Sequence, residues 1–183
     1  MVTYQVWLER VLRGAPAVAD FMHGRWSWPA AESLHFVGLT LLFGSIAAWD
    51  LRLIGVARQV PVLALHRLIP FAVLGFLANA SSGMLFLMTD PDQYIYNSAF
   101  HLKMVCLLLA GANVIVFYVT VFERVKSLEP GEALPPAART SGAISLALWT
   151  AVIVCGRMIT FYRPVPCSPG AVLTWLSTCV VVP

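Results

Sequence analysis

Two histidines, His35 and His101, stand inside or at the rim of apolar stretches that hold almost no other ionisable group, and Arg157 and Lys103 accompany them. An imidazole or a charge is costly in hydrocarbon, so such residues mark a functional site by default. Two neutral imidazoles facing each other across a helix bundle are what a b-type haem needs on either side of its iron. Arg157 and Lys103 then suit the two propionates, since guanidinium and ammonium groups pair carboxylates. Three other chemistries compete on the same residues. Glu32-x-x-His35 has the spacing of di-iron carboxylate bundles, but no second Glu-x-x-His occurs to complete that site. Met84, Met88 and Glu32, with Met22, His23, His101 and Met104, offer soft and imidazole ligands for copper. Alternatively, His35 and His101 simply hydrogen-bond between helices, with Glu32 nearby.

The elements that must position these groups are membrane helices. Of 183 residues, 59% are hydrophobic and 11% charged, whereas a soluble domain carries about a quarter charged residues. Stretches 33–49, 68–89, 104–122 and 140–156 contain no Asp, Glu, Lys or Arg. Each approaches the roughly 20 residues that cross about 30 Å of hydrocarbon. Helices satisfy every backbone polar group within the segment, and no barrel-like alternation is seen. The expected fold is an all-α integral membrane protein: a four-transmembrane-helix up-down bundle preceded by a short N-terminal interfacial helix.

In this reading residues 1–26 form an amphipathic interfacial segment, because Tyr4, Trp7, Leu8 and Val11 recur at helical spacing. Its charges follow rather than precede its apolar positions, unlike a cleavable signal peptide. Residues 27–163 form the bundle, with spans at about 28–54, 63–89, 98–126 and 138–162. Residues 164–183 form an uncharged, Pro-rich tail that associates with the membrane or a partner. Trp26 and Trp28 read as interfacial anchors, Ser98 as a cap for the third helix, and Asp50 with Arg52 as a rim pair reaching to water. Cys106 and Cys155 read as small core residues, whereas Cys167 and Cys179 are placed where a bridge could form. His66, at the opposite level, reads as an interfacial histidine.

Arg52, Arg58, Arg67, Arg124, Lys126 and Arg139 all fall at the first and third connections. By the positive-inside rule those connections face the cytoplasm of a bacterial inner membrane, with both termini periplasmic. Spread over loops, the basic residues do not make a nucleic-acid footprint. At helical rise His35 lies about 10 Å in from Trp28, His101 about one turn into the third helix, and Arg157 about 8 Å before the fourth helix ends. All three depths are on the outer side, as is the polar patch at Asn79, Ser81 and Ser82.

Leu34-His35, Gly44 and Asp50-Leu51-Arg52 on the first span, with His101-Leu102-Lys103 opening the third, resemble the four-helix membrane proteins grouped around the copper-resistance protein CopD and the HemJ-type protoporphyrinogen oxidase. Gly156-Arg157-Met158 and Phe161-Tyr162 look like features of a less characterised bacterial branch. The resemblance implies haem b and redox chemistry for His35, His101 and Lys103. At residues 48–52 the chain reads Ala-Trp-Asp-Leu-Arg in place of the HemJ type's aromatic-Leu-Pro-Arg run, so haem binding carries over further than porphyrinogen oxidation. The expected function is a membrane b-type cytochrome-like protein, with haem between the first and third helices. It would be an oxidoreductase or an electron-transfer subunit linking a quinone to an outer-side partner or larger complex. The alternatives are copper handling and a non-catalytic subunit of a membrane assembly.

Overall fold

A computed structural model describes residues 2–14, 16–166 and 179–180. In chain order the helices are α1 (Val2–Leu12), α2 (Pro16–Met22), α3 (Ser27–Ile54), α4 (Val62–His66), α5 (Ile69–Thr89), α6 (Pro91–Ile95), α7 (Ser98–Thr120), α8 (Phe122–Lys126) and α9 (Pro136–Phe161). Two-residue strands β1 (Val165–Pro166) and β2 (Cys179–Val180) pair in parallel. Cys167, and with it the expected bridge to Cys179, lies outside the described residues.

Among the described residues four helical stretches are long and apolar enough to cross a bilayer: Ser27–Ile54, Val62–Thr89, Ser98–Thr120 and Pro136–Phe161. The chain is a multi-pass, all-α four-helix membrane bundle. Local chemistry sets the boundaries. α3 ends where Gly55 takes φ 110°, letting its N–H reach the Leu51 and Arg52 carbonyls. Proline occupies the first turn of α5 and α9, where a missing N–H costs nothing. α5 stops before Pro91, the residue preceding a proline being disfavoured in a helix.

The main interfaces are α3 with α5, α7 with α9, and α3 with α9. Small residues let the backbones approach. At the α3–α5 crossing Gly38 and Gly75 face each other. At the α3–α9 crossing a Cβ on Gly142 would lie 2.9 Å from Leu53 Cβ and 3.1 Å from Asp50 O. All four spans meet in a central cluster containing Leu42, Ala72, Cys106, Ala110, Trp149 and Val152. Cys106 and Cys155 are buried and unbridged, as small core residues should be.

The two ends differ. Gly131 N–H donates to Arg58 O at 3.0 Å, so the first and third connections, which carry six of the twelve basic residues, share one end. At the other end Arg13 of the N-terminal segment pairs with Asp92 of α6 at 2.7 Å, and the Tyr96 hydroxyl donates to Glu9 at 3.3 Å. Burial pushes the Asp92 carboxyl above its ordinary range, against the pull of Arg13. Trp26 is exposed, as an anchor should be. Trp28 instead turns inward, 5.1 Å from the Phe86 ring, in a cluster with Met22 and Ala31.

The expected Asp50–Arg52 rim pair does not form. Two residues apart on a helix, their side chains point about 200° from each other. Each is only 2% exposed. Arg52 Nε donates to Val60 O at 2.7 Å, while Asp50 turns toward Ser145 of α9. The other atoms, Asp50 Oδ2 and Arg52 Nη1, are buried without a hydrogen-bond partner among the described residues.

Candidate functional site

The site begins with His35 on the α5-facing side of α3, half-buried, its ring 5.8 Å from that of Phe86. Its Nδ1 lies 2.9 Å from Oγ of Ser82, which is fully buried on α5. Ser82 Oγ is also 2.7 Å from Ala78 O and 3.2 Å from Asn79 O. A carbonyl only accepts, and Ala78 O at 2.7 Å is the closest of the three partners, so we assign the single hydroxyl hydrogen of Ser82 to it. Toward His35 the hydroxyl is therefore the acceptor, and Nδ1 carries the imidazole hydrogen. In the neutral ring this leaves the lone pair on Nε2. Asn79 Nδ2 completes the brace by donating to His35 O at 3.0 Å. Gly83 of α5 is next to the ring: a Cβ there would stand 3.9 Å from His35 Cε1, in ordinary van der Waals contact.

Lys103 enters from α7. Its Nζ lies 3.6 Å from where a Cβ on Gly156 of α9 would stand, and it is close enough to His35 and to Cys155 to act on both electrostatically. None of the three ion pairs among the described residues includes Lys103. A cation is thus presented to the interior without a carboxylate of its own. Tyr94 of α6, outside the spans, lies near Glu32 and Arg163 at the same end. Burial, reinforced by Asp90, pushes its hydroxyl up to about 12, so it remains a neutral phenol near neutral pH.

The structure brings together only part of the set expected from sequence. His35, Ser82, Asn79 and Lys103 converge. His101 does not: it is exposed, on the opposite side of α7 from Lys103, because two residues on a helix differ by about 200°. Arg157 is likewise exposed, its guanidinium 5.0 Å above the Phe161 ring. Depth along the axis was comparable for all of these residues, but azimuth separates them. A clamp of His35 and His101 on one ligand inside the bundle is therefore not formed.

The candidate copper ligands are dispersed too. Met22 is buried against Ala31 and Phe86, Met84 is 52% exposed, Met88 is half-buried, and Glu32, His23 and His101 are exposed. Among the described residues no group of three His, Cys, Asp or Glu side chains is placed to hold a metal ion. His66, at the basic end, is half-buried rather than free at the interface. Its Nε2 is 3.0 Å from the Tyr118 hydroxyl, and its ring packs against Trp49 and Phe122.

The Ser82 partnership was not legible as such, although the Asn79–Ser82 patch signalled polarity at the right depth. Ser82→Ala is expected to cost about 1 kcal/mol, the worth of one hydrogen bond. It should also release the imidazole to take either tautomer, which the ring-nitrogen resonances of His35 would report.

Comparison with protein-family models, with curated proteins and with solved structures returns no match.

Proposed function

We propose that this chain is a membrane redox protein that binds a b-type haem through His35 Nε2, with Lys103 receiving an acidic substituent of the same group. The observation that carries this reading is the 2.9 Å contact of Ser82 Oγ with Nδ1: with the Ser82 hydrogen assigned to Ala78 O, the imidazole hydrogen sits on Nδ1 and Nε2 keeps the lone pair. Metal-binding histidines are commonly oriented through their other ring nitrogen in this way. Lys103, a cation without an internal carboxylate, matches a propionate in charge. The residues present fit a ligand that needs one imidazole and one cation. They do not fit a bis-histidine site, so His101 is left out of this proposal.

Bound there, haem supplies a one-electron couple. The protein's part is to hold the imidazole edge in one orientation and to compensate negative charge. We propose that the electrons pass between a quinone in the bilayer and an outer-side partner or larger complex. We further propose a bacterial inner membrane with both termini on the periplasmic side, supported by the six basic residues of the first and third connections, against Lys103 alone in the second. The kinship with CopD- and HemJ-like proteins is part of the same proposal and rests on the residues quoted above.

The test is a reduced-minus-oxidised absorption spectrum of the purified full chain, with metal analysis. His35→Ala is expected to abolish the haem bands, Lys103→Met to lower haem retention severalfold, and His101→Ala to leave the bands in place. A spectrum that survives His35→Ala, or one lost with His101→Ala, overturns the assignment. Bound copper without haem would favour the copper reading.

A further inference from the structure

Arg157 lies on a face of α9 that the His35 site does not use, about 100° around the helix from Gly156, against which Lys103 rests. With Ile153, Val154, Met158, Phe161 and Tyr162 it lines a shallow groove that lies open along one face of α9. No described ion pair includes Arg157, and Arg163 adds a second exposed cation just past the helix end. The position is graded by depth. Arg157 stands about 6 Å of helical rise below Phe161, the last residue of α9, within reach of the headgroup level. Ile153 and Val154 lie one turn deeper, in the hydrocarbon. Phe161 supports the face of the guanidinium and leaves its N–H edge for an anion.

We propose that this groove binds an anionic phospholipid, its phosphate on Arg157 and an acyl chain along Ile153 and Val154. Charge complementarity selects the occupant. Among the described residues Arg157 is the one charged side chain that lines the groove, and no carboxylate stands there to neutralise it, so a net negative headgroup is favoured over a zwitterionic one. A small soluble anion would satisfy the guanidinium but leave the apolar floor uncovered. The inference does not depend on the His35 reading, because the two sites sit on different faces.

The test uses the purified full chain in native mass spectrometry, titrated with phosphatidylglycerol and with phosphatidylcholine. The wild type is expected to retain phosphatidylglycerol in preference. Arg157→Gln should lower that preference about fivefold, the effect of one basic side chain at an anionic membrane surface. Arg157→Lys should fall between, and Arg163→Gln should change it less than Arg157→Gln. Thermal unfolding in phosphatidylcholine alone should be the same for all variants, which separates lipid recognition from folding. Three results overturn the proposal: equal retention of the two lipids by the wild type, an unchanged preference in Arg157→Gln, or displacement of phosphatidylglycerol by inorganic phosphate. Loss of haem in Arg157→Gln would also overturn it, by assigning the guanidinium to the redox site.

Discussion

Gly75→Ala is expected to destabilise the bundle by about 3 kcal/mol, the upper end of what overpacking costs. A Cβ at Gly75 would lie 2.5 Å from Gly38 O, 2.5 Å from Leu42 N and 3.0 Å from Leu41 Cβ. The two closest atoms are backbone, so no rotamer change relieves the contact; α3 and α5 must move apart. The reciprocal position is close but less tight, with a Cβ on Gly38 reaching 2.8 Å from the side-chain Asn79 Nδ2 and 3.0 Å from Gly75 O. Gly44→Ala and Gly111→Ala are the controls, since an added methyl group at either meets nothing within 4 Å. Both should fold like wild type or gain up to about 1 kcal/mol from helix propensity. Unfolding in mixed micelles measures all three, and equal stability of Gly75→Ala and Gly44→Ala would refute the close crossing.

The same substitution reaches the candidate site. Gly38 is one turn from His35 along α3, and Gly75 is two turns from Ser82 along α5. The His35–Ser82 bond of 2.9 Å spans the gap that the two glycines set. Widening it by even half an ångström weakens the bond and releases the imidazole. Under the proposed function, Gly75→Ala should therefore impair haem retention without altering either residue assigned to hold the group.

How far the sequence revealed this arrangement follows from what each signal measures. Uncharged runs report burial in hydrocarbon, so the four spans and their approximate limits were readable from composition. Rise per residue gives depth, so His35, His101, Lys103 and Arg157 were correctly assigned to one end. Depth says nothing of azimuth. The 200° between His101 and Lys103 was present in their spacing, but only the facing helices decide which of the two turns inward. Asp50 and Arg52 illustrate the same point: two charges two residues apart suggest a pair, whereas the helix sends them to different neighbours. The Gly38–Gly75 crossing was not legible, because a single glycine in a span fits close packing and open lipid contact equally well. Gly44 and Gly111 are the proof, alike in sequence and free of contact.

Asn97 is the residue that local sequence rules most undervalue. Ser98 was the expected cap of α7, but Asn97 takes that place, its Oδ1 accepting from Ala99 N at 2.9 Å. Its Nδ2 donates to Tyr162 O at 2.9 Å and to Ile159 O at 3.3 Å, at the C-terminal end of α9. One fully buried amide thus satisfies an orphan donor of one helix and two orphan acceptors of another. Asn97→Ala is expected to cost about 3 kcal/mol, roughly 1 for the cap and the rest for carbonyls left without a donor. Aspartate separates the two roles. As an N-cap it equals asparagine, so a residue that only capped α7 would tolerate Asn97→Asp without loss. As a bridge it fails, because its second oxygen would face two carbonyls with no hydrogen to offer. Asn97→Asp is therefore expected to be at least as unstable as Asn97→Ala near neutral pH, and Asn97→Ser, which keeps the cap alone, to fall between Asn97→Ala and wild type. An unfolding series that placed Asn97→Asp beside wild type would leave only the cap and remove the tie between α7 and α9 that holds Gly156 against Lys103.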